Sequence, residues 1–98
     1  MYELKHQNDK VVLVLSGSVA IADVAPLRKE LQSLDSTQDL IVDASGLDYI
    51  DSSGVACLVF AYSARAKQGA RVMLKNPSAA LTRVLDTLKF TSFFPKIT

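Results

Sequence analysis

Residues 48 to 54 read Asp-Tyr-Ile-Asp-Ser-Ser-Gly, and an apolar helical pattern follows at once. Two carboxylates, two hydroxyls and a glycine at the mouth of a helix suit three kinds of chemistry. Asp51, Ser52 or Ser53 can accept hydrogen bonds from the free amides of the first helical turn. A hydroxyl there can be presented for modification, because a helix N-terminus tolerates negative charge. Asp43, Asp48 and Asp51 together could hold a hard cation or a phospho-aspartate, since all three fall between the end of one strand and the start of the next helix.

Other chemistry has little to work with. Neither a phosphate-binding G-x-x-x-x-G-K-[ST] run nor a dinucleotide-binding G-x-G-x-x-G run is present, and no G-x-S-x-G elbow surrounds Gly54. The sole histidine, His6, falls on an expected solvated edge strand, far in sequence from Ser52 and Cys57. Cys57 sits within an apolar helix and reads as a small core filler, with a redox role only if the nearby helix start lowers its pKa. One cysteine excludes a disulfide framework or a zinc constellation. No cofactor is expected, and the hard-cation reading of Asp43, Asp48 and Asp51 ranks last.

Composition bounds the rest. Ninety-eight residues make one domain, 1–98, with 49% apolar residues. A chain of this size buries roughly 60–70% of its unfolded surface. The net charge is +1 and no basic run exceeds Arg28-Lys29, so no nucleic-acid footprint is expected. The apolar runs are too short to span a bilayer and the first ten residues do not resemble a signal peptide. The expected location is cytoplasmic.

The elements that must position these residues follow from periodicity. YELKH at 2–6 alternates as an edge strand, QNDK at 7–10 is turn chemistry, and VVLVL at 11–15 is a central strand closed by Ser16-Gly17-Ser18. Asp23 is expected to cap a helix with Pro26 in its first turn and Val24, Leu27, Leu31 and Leu34 on its inner face. Leu40-Ile41-Val42 is a short buried strand and 44–48 a loop. The pattern from Ser53 to Gln68 is helical, with Val55, Leu58, Val59, Tyr62 and Ala66 on one stripe, and Gly69 ends it. RVMLK at 71–75 is a strand, Asn76-Pro77 opens a last helix carrying Leu81, Val84, Leu85 and Leu88, and the aromatic tail at 90–97 packs against the body. The order β-β-α-β-α-β-α specifies an α/β fold: a small mixed four- to five-stranded sheet with parallel right-handed crossovers and helices mainly on one face. Its other face is then thinly covered, left to the tail or to another molecule, which leaves room for a homodimer.

Tyr49-Ile50-Asp51-Ser52-Ser53-Gly54-Val55-Ala56 resembles the signature of the STAS domain, and most closely that of bacterial anti-sigma factor antagonists. In these an Asp-Ser-(Ser/Ala)-Gly-hydrophobic segment opens the second long helix. The resemblance extends to Asp43 ahead of a Gly-Leu-containing loop, Lys67-Gln68-Gly69, the 71–75 strand, Asn76-Pro77 and the Phe-Phe-Pro near the end. It implies a partner-switching regulator rather than an enzyme. The implied partner is an anti-sigma factor with serine kinase activity, which phosphorylates Ser52 and is released by it, and a phosphatase resets the cycle. The implied contact residues are Asp48, Asp51, Ser52, Ser53 and Gly54, with Gly54 admitting close approach and Phe60 extending the surface along with Ala56 and Ala64. The family's usual Gly-Glu-(hydrophobic)-Asp after the second strand is replaced here by Gly17-Ser18-Val19-Ala20. Their loss suits a more distant resemblance, to the small STAS subunit that binds the ATPase of ABC-type phospholipid transport systems, although the threonine-glycine-glycine style motif of that subunit is absent.

Overall fold

The computed structural model describes residues 2–90 and 93–97, so Thr91 and Ser92 of the expected tail lie outside the described residues. The elements run β1 (Tyr2–Gln7), β2 (Lys10–Val19), α1 (Ile21–Ser33), β3 (Asp39–Ile50), α2 (Ser52–Ala66), β4 (Val72–Lys75), α3 (Ala79–Thr87) and β5 (Lys96–Ile97). They form one five-stranded sheet in the order β1-β2-β3-β4-β5. The β1–β2 hairpin is antiparallel and every later pair is parallel. Three crossovers that step in one direction with the right-handed sense put their helices on the same face.

The strand burial patterns record that arrangement. Val11, Leu13 and Leu15 of β2, Leu40, Val42 and Ala44 of β3, and Val72 and Leu74 of β4 are buried. They share a cluster with Leu27 and Leu31 of α1, Val55 and Leu58 of α2, and Leu81 and Leu85 of α3. The intervening residues Val12, Val14, Ile41 and Met73 are only half-buried and point to the opposite face. Among the described residues the tail does not shield that face. Instead Phe93 and Phe94 stack on Tyr62 of α2, with ring centroids 4.4 and 5.9 Å away, and Lys96–Ile97 joins the sheet edge as β5.

Several local expectations are corrected. Ser16-Gly17-Ser18 does not close β2, and residues 44–48 are not a loop: both segments continue the β2–β3 ladder to Val19↔Ile50. The register slips twice, between Val14/Ser16 and between Gly17/Ser18, each time leaving one extra residue on β3. Such bulges let a strand carry polar, small residues and still pair. Gly17 meets the second with φ +67°, a conformation that suits a residue without a side chain. Asp23 does not cap α1. The helix starts at Ile21, and Asp23 lies in its first turn, where its Oδ2 accepts from the Ala20 N–H at 3.0 Å. Pro26 therefore stands inside the helix, beyond the first turn. Asn76 is not the cap of α3. It takes a left-handed turn (φ +48°), and Ser78 caps the helix by accepting from the Leu81 N–H at 3.2 Å.

At the opposite end of the sheet from the α2 start, Arg65 is 1% exposed. Its Nε donates to the Gln38 carbonyl at 3.0 Å, tying the end of α2 to the turn before β3, while one terminal nitrogen, NH2, is buried without a partner. Burial pushes its pKa down, opposed by Asp35 and Asp39. A buried cation lacking a paired carboxylate contributes packing and one hydrogen bond at a desolvation cost. Accordingly Arg65→Ala should lower unfolding free energy by about 2–4 kcal/mol, through a cavity and an orphaned carbonyl. Arg65→Met, which keeps the bulk and drops the charge, should stay within about 1 kcal/mol of wild type. Urea denaturation followed by circular dichroism distinguishes the two. Equal losses would contradict this account.

Candidate functional site

One residue separates β3 from α2. Ile50 ends the strand, Ser52 begins the helix, and Asp51 between them is extended (φ −108°, ψ −177°). Its Oδ1 accepts from the Ser53 and Gly54 N–H groups, both at 3.1 Å, and from the Ser53 hydroxyl. The Asp51 carbonyl takes the Val55 N–H at 3.1 Å. The cap is therefore Asp51 alone among the three candidates, and Ser53 is committed to it as a donor. These donors hold the Asp51 carboxyl below its ordinary value, the Ser53 hydroxyl acting most strongly and the Gly54 amide next.

Ser52 is different. It occupies the first position of α2, its side chain is exposed, and among the described residues its hydroxyl has no hydrogen-bond partner. Asp48 is exposed near the end of β3, Ser53 is half-buried and Phe60 is half-buried two helical turns along α2. The Arg28 guanidinium lies over the Phe60 ring, 4.8 Å from its centroid, so α1 contributes to that surface. Ala56 is exposed and Ala64 half-buried on the same helix.

Gly54 does not offer a partner its backbone, because it is buried. A Cβ built there would meet Ile50 Cγ1 at 2.7 Å and Val19 Cγ1 at 3.1 Å. Its lack of a side chain is required by the protein's own core, which seats the first turn of α2 on the ends of β2 and β3.

The bulges in β3 also expose a residue that periodicity did not single out. Leu47 and Ile50 point inward while Asp48 and Tyr49 both face out, and Tyr49 is 53% exposed. Tyr49 pairs with Ser18, three residues before Ile21, which is 76% exposed at the start of α1. Strict alternation puts Tyr49 and Leu47 on one face; the break in that alternation is a tertiary feature. Ser18 and Ala20, where the resembled family carries acids, are thereby placed beside Tyr49-Ile50-Asp51.

The three carboxylates considered as an acidic site are not brought together. Asp43 points to the uncovered sheet face and accepts from the Ser45 N–H and hydroxyl at 3.2 and 2.9 Å, while Asp51 caps α2. Among the described residues no group of three or more His, Cys, Asp or Glu could hold a metal ion. His6 is exposed on β1. Cys57 is buried between α1 and α2 with its Sγ 3.8 Å from the Val24 carbonyl, and burial pushes the thiol pKa up, opposite to what redox reactivity needs. Among the described residues no helix is long and apolar enough to cross a membrane.

With this geometry in hand, comparison with known proteins is decisive for the family. The family model described as Mlab, STAS domain matches residues 3–94. The chain belongs to the STAS domain family. Among solved structures, this STAS domain is similar to the anti-sigma factor antagonist SpoIIAA in its unphosphorylated form, with a TM-score of 0.77 and 22% identity over 100% of this chain and 88% of that one. The phosphorylated form of the Bacillus cell fate determinant SpoIIAA gives a TM-score of 0.78 and 21% identity, over 100% of this chain and 92% of that one. An anti-sigma factor antagonist from Mycobacterium paratuberculosis gives 0.84 and 16% identity, over 98% and 83%. At these identities the likeness shows the fold.

Two outcomes follow from the site. Gly54→Ala should destabilise the STAS domain by about 1–3 kcal/mol, since the new methyl must displace Ile50. Chemical denaturation reads this, and a neutral or stabilising effect would refute the packing role. The Asp51 carboxyl, followed by NMR, should titrate below the ordinary 3.8, and Ser53→Ala should bring it back toward that value. Because the folded-state pKa is depressed, the cap's stabilisation is fully present above pH ~4 and is lost as pH falls through the lowered value. A midpoint above 3.8 would contradict the cap.

Proposed function

We propose that this STAS domain is a partner-switching regulator, a binding module and not an enzyme, gated at Ser52. In this reading an anti-sigma factor with serine kinase activity docks on Ser52, Asp48, Asp51, Ser53, Tyr49 and the Phe60 face of α2, and phosphorylation of Ser52 releases it. A phosphatase restores the docking form, and the free antagonist relieves a sigma factor of its inhibitor. The observation that carries the reading is the exposed, unpartnered Ser52 hydroxyl at the first position of a helix whose nearest free amides are already occupied by Asp51.

That occupation decides where new charge would go. A phosphoserine brings about −1.5 to −2 charges at pH 7. With the Ser53 and Gly54 amides accepting none of it, the phosphate stays at the surface beside Asp51 and Asp48, while the helix dipole keeps the fold tolerant of it. A partner surface matched to a neutral hydroxyl then has to desolvate a dianion. Unit charges 4 Å apart interact by about 4 kcal/mol at an effective dielectric of 20. A few kcal/mol is roughly a hundredfold or more in affinity, enough to open a complex.

A second reading keeps the surface and drops the phosphate. The description of the matching family model as Mlab, STAS domain, and the neutral Ser18 and Ala20 beside the site, support constitutive docking on the ATPase of an ABC-type phospholipid transport system. There Ser52 is a contact hydroxyl.

Affinity capture from the native cell with wild type, Ser52→Ala and Ser52→Asp separates these readings. The switch requires that alanine retain a kinase-like ATPase and that aspartate lose it by about a hundredfold in affinity, with phosphate mapped to Ser52 after incubation with that ATPase and ATP. Aspartate binding as well as wild type sinks the charge gate. Recovery of a transporter ATPase, indifferent to phosphate, supports the second reading.

A further inference from the structure

The sheet face opposite the helices is a mosaic of charged and apolar side chains arranged by register. One row across the strands is Lys5, Val12, Ile41 and Met73, and the next is Glu3, Val14, Asp43 and Lys75. A third begins Gln7, Lys10 and Asp39. The strands thus bring three acids (Glu3, Asp39, Asp43) and three bases (Lys5, Lys10, Lys75) around an apolar floor of Val12, Val14, Ile41 and Met73. Among the described residues neither helix nor tail covers it, and a concavity of about 320 Å³ opens there between Lys5 and Lys75.

We propose that this face is a homodimer interface, with a second copy stacked on it about a twofold axis that runs along the strands between β2 and β3. The charge pattern selects that occupant. An axis in this position carries β1 over β4 and β2 over β3 while keeping each row in place. Glu3 then faces Lys75 of the second copy, Lys10 faces its Asp39, and Val12 faces its Ile41, each pair occurring twice. Lys5 lays its stem over the second copy's Met73, and Asp43 falls over the second copy's Val14, where Lys75 of its own sheet, the next residue in the row, supplies its countercharge. A balanced mosaic offers no net field to an anionic or cationic stranger, yet it is complementary to itself, as a twofold interface must be. An axis along the strands also gives aligned sheet packing, the common face-to-face geometry. The helix layers lie on the outside of such a pair, so both Ser52 sites stay open and the dimer is a bivalent partner.

Sedimentation equilibrium at about 100 μM, where a micromolar Kd gives almost complete pairing, tests this without any other protein present. Wild type should sediment at twice the protomer mass of 10.6 kDa. Glu3→Lys and Lys75→Glu alter exposed side chains and each places like charges opposite one another twice, so each should raise the dimer Kd by about tenfold. The double variant Glu3→Lys/Lys75→Glu should recover most of the lost affinity, short of wild type because residue 75 then sets a second carboxylate beside Asp43, and Ser52→Asp should leave the affinity unchanged. Wild type at protomer mass overturns the proposal and leaves the face to a different macromolecule. A dimer indifferent to the single reversals, or one not restored by the double reversal, overturns it equally. None of these outcomes bears on the Ser52 switch, which is read from partner capture.

Discussion

A strand that becomes a helix across a single residue leaves no slack, and Asp51 is that residue. Its backbone is extended to finish β3, its carbonyl accepts the first helical hydrogen bond from Val55, and its carboxylate takes the Ser53 and Gly54 amides. The direction of α2 relative to the sheet follows from this one cap. Gly54 then brings the helix down on Ile50 and Val19, so the ends of β2 and β3 and the start of α2 form one packed unit. Any surface built at this edge inherits its rigidity from that unit.

The cap also assigns the two serines separate tasks. Ser53 is spent internally on Asp51, and Ser52 is left outward. Two adjacent hydroxyls of the same chemistry thus differ because one points along the helix end and the other away from it. The same carboxylate that organises the helix keeps the amides from absorbing a second anion, so charge added at Ser52 would be felt by whatever docks there. In the proposed switch, stability and gating would thus be two consequences of one set of hydrogen bonds.

The one-sided helix layer divides the molecule into regions with separate demands. The inner face of the sheet, with α1, α2 and α3, is apolar and closed. The α2 edge is polar, with Tyr49 and Ile21 standing out of it. The outer face mixes charges with Val12, Val14, Ile41 and Met73. Three surfaces of different chemistry on so small a domain would let the proposed switch edge and the proposed second contact coexist without competing for the same residues.

Much of this was legible in the residues. Periodicity located all three helices, the VVLVL and RVMLK strands and the one-sided crossovers, and the Asp-Ser-Ser-Gly segment marked the start of α2, because amphipathic spacing and capping are local properties. What periodicity missed was long-range. Residues 44–48 look like a loop, being small and polar, and become strand only because β2 runs beside them and two bulges absorb the mismatch. Local capping rules favour a helix that starts at Asp23 with Pro26 in its first turn, whereas packing extends α1 back to Ile21. The fifth strand is too short to announce itself and forms because β4 offers an open edge. Above all, capping rules could say that a hydroxyl lies at a helix start but not which one, and the family resemblance alone singles out Ser52. Only the folded chain, by letting Asp51 claim Ser53 and by turning Gly54 inward, decided that Ser52 faces the outside.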